Sequence, residues 1–492
     1  MRFDDNRLGA LKNISRRHFL RESAAGLGAV ALGSFLSSCG NGGEAVASLP
    51  GVVDPTLPRP PHFPGRAKRV IYLHMAGAPS QLELFDFKPE LKKLDNQLCP
   101  PSLLEGKRFA FIRGVPRMLG PQANFKQHGE SGALVSENLP HFAKIADEVS
   151  FLKGVYTDQF NHAPAQLFVH SGSPRLGRPS IGSWITYGLG TENQNLPGFV
   201  VLTSGGKTPD AGKSVWGSGF LPSVYQGVQC RSEGEPVLFL NDPDGMKRDL
   251  KKKTIDAINE INKQHFDEFN DPETLTRIAQ YEMAFRMQVS VPEVMNINSE
   301  PQYIHELYGT TPGKASFANN CLLARKLVEQ GVRFVQLFDW GWDGHGTSAN
   351  ESVDYGIKNK CQQIDRPMTA LLLDLKQRGL LDETLVVWGG EFGRTPMLEN
   401  REGKTMPFKG RDHHVEAFTM WMAGGGIKKG ATWGETDEIG YYPINGKVSL
   451  HDVQATILNQ VGFDHEKLTY QFQGRPFRLT DVSGKVIREI IA

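Results

Sequence analysis

Neither sign of charge prevails in this chain: 55 Lys and Arg stand against 54 Asp and Glu, a net charge of +1 over 492 residues. Without a basic field there is no electrostatic footprint for nucleic acid, and without an acidic tract there is no charge-driven disorder. Nucleic acid is therefore not expected among its partners. Cysteine is scarce too. Beyond Cys39, the remaining Cys99, Cys230, Cys321 and Cys361 lie far apart and show no CxxC spacing, which argues against a cysteine-built zinc site. Cys321 sits in a helical apolar pattern and reads as a small buried hydrophobe. No internal repeat is present. An apolar run from Ala24 to Phe35 is too short to span a bilayer.

That short run belongs to a processing segment rather than to the fold. Ser15-Arg16-Arg17-His18-Phe19-Leu20 matches the twin-arginine export pattern, and Ala24 to Phe35 supplies the apolar region behind it. Leu36-Ser37-Ser38-Cys39 then has the form of a lipobox. Residues 1–39 are expected to be an export signal, with Cys39 acylated as the first residue of the mature chain. The expected location is periplasmic or outer-membrane-anchored, with membrane contact through the N-terminal lipid. Residues 40–66, rich in Gly and Pro, read as an extended tether.

From residue 67 onward, short β-rich apolar runs alternate with amphipathic helical patterns. The runs are 69–75, 149–155, 198–203, 331–338, 384–389 and 418–422; the helices are 316–330, 368–381 and 451–461. Apolar strands without strict alternation are buried on both faces, which is the pattern of a parallel sheet. The expected fold is α/β, a three-layer α/β/α sandwich with a mostly parallel sheet over residues 67–492, in which 331–338 and 384–389 share one sheet. Charged residues near 243–310 with helical apolar spacing read as a helical insertion. The stretch 474–487 reads as a hairpin turning at Ser483-Gly484.

Open α/β sheets place ligands beyond the carboxyl ends of their strands, and the residues there carry chemistry. Thr384 to Trp388 runs into two glycines, then Glu391 and Arg394; the 331–338 strand runs into DWGWDGHG (339–346), offering Asp339, Asp343 and His345. GRDHH (410–414) adds His413 and His414. Carboxylate and imidazole together suit Zn²⁺ or Mn²⁺, so these groups point to a metal-assisted hydrolytic site. Asp343 and His345, Glu391 and His413 are the candidate metal ligands, with Asp339 as an alternative to Asp343. Adjacent histidines on a loop do not both reach one ion easily, so one of His413 and His414 is expected to ligate and the other to touch substrate. Arg394 is placed to clamp an anionic ester. His162, at the start of a helical segment NHAPAQLFVHSG (161–172), stands where a substrate-binding or nucleophilic group would. His74, His128, Glu83 and Asp86 are weaker candidates at the same sheet edge.

These motifs together, RVIYLHMAGAPSQLELFDFKPEL, NHAPAQLFVHSG, WGWDGHG, LLDETLVVWGGEFGRTP and GRDHHVEAFTMWMAGGG, resemble an exported bacterial domain-of-unknown-function family, number fifteen-oh-one. That family is sulfatase-like and is grouped with the alkaline phosphatase and sulfatase superfamily. The resemblance implies an alkaline phosphatase/sulfatase-like fold and a hydrolase of sulfate or phosphate esters, with a divalent metal ion (Zn, Mn or Ca). Its substrate would be a sulfated or phosphorylated small molecule or glycan at the cell envelope. It puts Glu391 where a metal-binding Asp stands, Phe392 where a second ligand is expected, and His162 at the nucleophile position with Gln166 where an arginine is expected. His162 would then act as nucleophile or general acid, and Arg394 and His414 would stabilise developing negative charge. No cysteine or serine occupies the sulfatase nucleophile motif, which excludes formylglycine chemistry there. Phe392 in a ligand position disfavours a full two-metal site. The other reading is a degenerate, non-catalytic member that binds glycans or serves envelope assembly.

Overall fold

The computed structural model describes residues 54–237, 247–401 and 403–492 of the chain. The twin-arginine segment, the Cys39 lipobox and most of the tether lie outside the described residues. Nine strands build the main sheet: β1 (Arg69–Ala76), β2 (Val149–Tyr156), β3 (Phe199–Ser204), β4 (Val228–Cys230), β5 (Phe334–Trp340), β6 (Thr384–Gly389), β7 (Phe418–Ala423), β8 (Thr432–Trp433) and β9 (Val448–Ser449). Their order is β8-β2-β7-β6-β1-β5-β3-β4, with β9 also on β2. All pairings are parallel except those of β7, which runs antiparallel to both β2 and β6.

The period of two along each strand divides the interior into two cores. Ile71, Leu73 and Met75 of β1 face one layer, together with Val335, Leu337, Val386 and Trp388. Val70 and Tyr72 face the other, with Phe334, Phe338, Leu385 and Val387. The second layer is covered by α1 (His162–Ser171), α2 (Ile181–Leu189) and α8 (Leu450–Gln460); the first by α6 (Phe317–Glu329) and α7 (Gly356–Gln377). Both faces of the sheet are thus buried, which is why its strands read as nearly continuous apolar runs. The result is a mostly parallel, three-layer α/β/α sandwich.

Between β4 and α6 come α3 (Arg248–Phe269), α4 (Pro272–Met295) and α5 (Gln302–Tyr308), within the stretch expected to hold helices. α4 sends Met287, Val291 and Met295 into the same core as the sheet. Ser316 caps α6 by accepting from the Asn319 N–H, and Cys321 on that helix is fully buried. Cys99, Cys230, Cys321 and Cys361 are all free thiols, and burial pushes Cys230 up to about 12. No helix among the described residues is long and apolar enough to cross a membrane.

Two expected elements differ. The helix read over 368–381 begins at Gly356 and passes through Pro367; the proline suppresses the reading because it cannot donate within a helix, yet the flanking residues Ile364, Met368 and Leu371 are buried and hold the helix together. The C-terminal hairpin joins Tyr470–Phe472 to Arg475–Phe477 rather than turning at Ser483-Gly484. Gln473 (φ 47°) and Gly474 (φ 84°) both take positive φ, as a two-residue hairpin turn of the primed type requires.

Candidate metal centre

Strands β3, β5, β1 and β6 lie side by side and parallel, so Ser204, Trp340, Ala76 and Gly389 end on one edge. The segments leaving that edge are packed closely. Gly77 has φ +107°, and a Cβ there would come 2.7 Å from the Asp343 backbone nitrogen, so only glycine lets the loop after β1 pass under the loop after β5. The Gly77 N–H donates to Glu391 Oε1 at 3.0 Å. A two-residue ribbon, Gly393–Arg394 paired antiparallel with His413–His414, brings the later segment to the same place.

Asp343 Oδ1 is the centre of the cluster. His345 Nε2 lies 2.8 Å from it, His162 Nε2 3.3 Å and His413 Nε2 3.7 Å, and His413 Nε2 is 3.1 Å from His345 Nε2. The ligand atoms of His162, Asp343, His345 and His413 all lie within 4.8 Å of one another. Ligands about 2.0–2.2 Å from a tetrahedral ion are roughly 3.3–3.6 Å apart, a value that the 2.8–3.7 Å separations from Asp343 Oδ1 bracket. The opening is on the Asp343 side, whose side chain is 29% exposed against 6% for His345 and 4% for His413.

What turns the three rings inward is the set of acceptors behind them. His162 Nδ1 meets Glu391 Oε1 at 2.7 Å, His345 Nδ1 meets Glu399 Oε2 at 2.5 Å, and His413 Nδ1 meets the Phe160 carbonyl at 2.6 Å. Each Nδ1–H is thereby spent outward and each Nε2 is left facing Asp343. Metal-ligating histidines are held in this way. Glu391 is itself fixed by Gly77, by the Gln166 amide at 3.2 Å, and by His74, whose Nε2 lies 3.3 Å from Oε2.

Charge follows the geometry. Burial alone would raise Asp343, but Arg394 and hydrogen bonds from His162, His345 and His413 hold it well below the usual carboxylate range. Glu391 is likewise held down by His162 and His74 against its complete burial. Burial lowers His413 to about 4, with Arg394, His162 and His345 adding to the effect and Asp343 opposing it. His162 goes the other way: burial lowers it, but Asp343 and Glu391 outweigh that and raise it to about 9.

The structure distributes the expected roles differently in several places. His162 Nε2 is one of the atoms that converge on Asp343, whereas Glu391 contributes none to that group and accepts from His162 Nδ1 instead. Arg394 is fully buried, with donors on the Ala78, Gly77 and Arg411 carbonyls and on Asp343. Its remaining N–H, on Nη1, is turned to His345 Nε2 at 3.5 Å, so the guanidinium is spent within the fold and braces Asp343. His414 faces away from the cluster, its Nε2 on the Tyr441 carbonyl at 2.6 Å, and is not part of the site. Asp339, the alternative to Asp343, is spent on Lys360 Nζ (2.6 Å), Ser204 Oγ (2.7 Å) and Trp342 Nε1 (3.0 Å). Glu83 is in a buried pair with Arg411, and Asp86 accepts from Thr436.

Glu399 and the Phe160 carbonyl carry no sequence signal: a backbone oxygen has none, and Glu399 follows no strand or helix pattern. Asp412 accepts from the N–H groups of Phe111, Ile112 and His413. It thereby lays the Phe111 ring on His345 and His413, at 4.8 and 5.6 Å between centroids. Asp210, beyond β3, is raised above its usual range, by burial first; His162 lowers it, and Glu391 and Asp343 raise it further. Around the mouth, three half-buried aromatic rings each carry a cation: Lys207 over Trp340 (5.4 Å), Arg108 over Phe160 (5.6 Å) and Arg401 over Phe111 (4.1 Å). Lys207 and Arg108 are exposed.

Sheet and cluster together define an α/β/α-sandwich protein with a His/Asp group able to hold a metal ion at the carboxyl edge of its parallel strands. The family model described as "Protein of unknown function (DUF1501)" matches residues 67–491, and the chain belongs to that family. No curated protein matches it by sequence. Among solved structures it is similar to Ps i-CgsB in complex with k-i-k-neocarrahexaose, at 10% identity over 82% of this chain and 74% of that one, TM-score 0.35. It is also similar to the PsFucS1 sulfatase from Pseudoalteromonas sp., at 12% identity over 81% and 68%, TM-score 0.36. A third is the alkaline phosphatase from the Antarctic bacterium TAB5, at 12% identity over 73% and 92%, TM-score 0.29.

Proposed function

We propose that this chain is a metal-dependent hydrolase that cleaves sulfate or phosphate esters with water, and that it works at the cell envelope after twin-arginine export, anchored through Cys39. The observation that carries the catalytic part is the orientation of the three imidazoles. Their Nδ1 atoms rest on Glu391, Glu399 and the Phe160 carbonyl, so His162, His345 and His413 present Nε2 to one point beside Asp343. Three nitrogens and one carboxylate oxygen suit Zn²⁺, and next Mn²⁺; Ca²⁺ prefers six to eight oxygen ligands and fits this set poorly.

A bound divalent ion would supply Lewis acidity, polarising an ester oxygen and making water a better nucleophile at neutral pH. The chain's own groups do the rest. Asp343 and the three histidines would hold the ion, and Arg394 keeps Asp343 ionised and in place. Lys207 and Arg108, exposed at the rim, draw an anionic ester toward the mouth. Phe111, Phe160 and Trp340 narrow the approach and exclude water from the buried side.

Elemental analysis of the purified mature chain, followed by a panel of aryl sulfates and phosphates with and without chelator, tests this reading. The expected result is a near-stoichiometric transition metal and a chelator-sensitive hydrolysis that His345→Ala and His413→Ala abolish. Protein without bound metal that also fails to take up Zn²⁺ or Mn²⁺ would sink it.

A further inference from the structure

The C-terminal hairpin and the turn that follows α1 make a surface that the metal cluster does not use. Val482 and Leu176 are the most exposed large hydrophobic side chains among the described residues, at 85% and 71%. They stand in one patch. Leu176 is two residues before Arg178, Val482 follows Asp481, and Asp481 Oδ1 lies 2.9 Å from Arg475 Nη2 and 3.9 Å from Arg178 Nη2. A Cβ on Gly177 or on Gly474 would meet no atom within 4 Å, so both the turn and the hairpin tip project clear of the fold. Lone apolar residues are ordinary on a surface; a pair of them on projecting turns, set among arginines, marks a contact.

The charge around them is positive. Arg178 and Arg475 share one carboxylate, Asp481, and the nearby Glu466 is taken by Arg478 at 3.2 Å. Arg175 is exposed and bonds Ser173 only through its backbone N–H. Burial lowers Arg178; Asp481 opposes this, and Arg475 and Arg175 lower it further, so the guanidiniums crowd one spot. Arg178 and Arg475 also sit over the Phe477 ring, at 4.5 and 4.0 Å from its centroid. A soluble anion would use the guanidiniums alone. An anionic phospholipid surface uses both parts of the patch: its phosphates pair with the guanidiniums, and its acyl boundary takes the aliphatic side chains.

The path of the chain favours a bilayer on this side. Behind the hairpin an aromatic ladder runs from Phe477 to Phe220, Tyr470 and Tyr187, with successive centroids 4.9, 6.0 and 5.6 Å apart. At its far end Arg59 donates to the Tyr187 carbonyl at 2.8 Å, and its guanidinium lies 5.9 Å from the Tyr187 ring centroid. The tether thus joins the fold on the ladder that carries the hairpin. Residues 40–53 separate Cys39 from Asp54 and span at most about 50 Å. We infer that the hairpin and the 173–178 turn are a membrane-surface contact for anionic phospholipid, in which Leu176 and Val482 enter the headgroup layer and Arg175, Arg178 and Arg475 pair with phosphates. The inference rests on the Cys39 anchor only for the nearness of a bilayer. α1 separates the contact from the cluster, since His162 begins that helix and Ser171 ends it, about 15 Å further on. The mouth is thereby left open to the aqueous side.

Co-sedimentation with vesicles tests the contact. The protein is the mature chain, residues 39–492, carrying Cys39→Ser, so that no acyl chain takes part and a failed anchor is not mistaken for a failed surface. The vesicles are equal parts phosphatidylethanolamine and phosphatidylglycerol, or phosphatidylcholine alone. The protein is expected to pellet with the anionic vesicles, far less with the neutral ones, and to be released by salt. Arg175→Gln/Arg475→Gln should lower the partition coefficient about tenfold, and Leu176→Ser/Val482→Ser several-fold. Both double variants should keep the parent's circular dichroism and metal content, because these side chains stand outside the core. No binding to anionic vesicles, or equal binding by the arginine variant, overturns the proposal. So does full binding by the Leu176→Ser/Val482→Ser variant, which would mark the arginines as a site for a soluble acidic partner instead. Binding by the parent that both variants lose supports the contact, whether or not the protein cleaves esters.

Discussion

Replacing Glu399 by Gln probes the cluster at its least visible support. Glu399 is fully buried and accepts twice: Oε2 takes the His345 Nδ1–H at 2.5 Å, and Oε1 takes the Arg401 Nε–H at 2.8 Å. A glutamine has one acceptor and one donor end. Whichever way its amide turns, an N–H faces either Arg401 or His345. If it faces His345, the ring does best by moving its proton to Nε2, the nitrogen that must stay bare to ligate. If it faces Arg401, whose side chain is 36% exposed and can turn to water, the buried amide N–H itself is left unsatisfied, at a cost of about 1–3 kcal/mol. Loss of such an orienting partner lowers metal affinity roughly 10–100-fold, or about 1.4–2.7 kcal/mol. Competition with a chromophoric chelator measures it, with His345→Ala marking complete loss of one ligand. Unchanged affinity in Glu399→Gln, beside a large loss in His345→Ala, would show that the ring needs no orienting carboxylate and would refute the argument.

Other outcomes follow from the same geometry. Arg394→Ala should cost roughly 3–5 kcal/mol of stability, read by chemical denaturation, because it strips the partially buried Asp343 of its cation and leaves buried carbonyls without donors. His414→Asn should leave metal content unchanged, because its imidazole faces the Tyr441 carbonyl and not the cluster; elemental analysis decides. In chelator-treated protein, His162 is raised from 6.5 to about 9, so it binds its proton more tightly folded than unfolded. Its stabilising contribution is full below about pH 6.5 and is lost as pH rises through about 9, roughly 3 kcal/mol in all; thermal unfolding between those values should show the loss, and His162→Gln should flatten it. Mass spectrometry of the exported protein should find an acylated Cys39 as its first residue.

The sheet was largely legible because its strands are buried on both faces, so 69–75, 149–155 and 384–389 stand out as apolar runs with no helical period. The antiparallel course of β7 was not, since direction leaves no mark on a six-residue run such as Phe418–Ala423. The start of α7 was hidden by Pro367. All four residues whose ligand atoms converge stand in the motifs singled out beyond the strands. Their roles did not follow, because whether His162 ligates or attacks depends on which ring nitrogen is held. That is decided by Glu391, 229 residues away in sequence. The guanidinium of Arg394 looks free at a strand end for a related reason, until three backbone carbonyls are found around it.

The adjacent histidines show where local sequence stops and pairing begins. His413 and His414 occupy a ribbon in which His413 stands opposite Arg394 and His414 opposite Gly393. In a strand, neighbouring side chains point to opposite faces, so one register sends only one of the two to the cluster. Arg394 and His413 are partners in that register, on the face that meets Asp343; His414 is sent to Tyr441. A slip of one residue would exchange them. The Asp412 carboxylate opposes such a slip by accepting the N–H groups of Phe111, Ile112 and His413 together. Asp412→Asn should therefore lower metal affinity although Asp412 holds no place among the four converging ligands: its amide end would meet a backbone N–H with another donor. The effect should appear as weaker chelator competition with an intact overall fold by circular dichroism. Affinity equal to wild type would show that the ribbon keeps its register without that carboxylate.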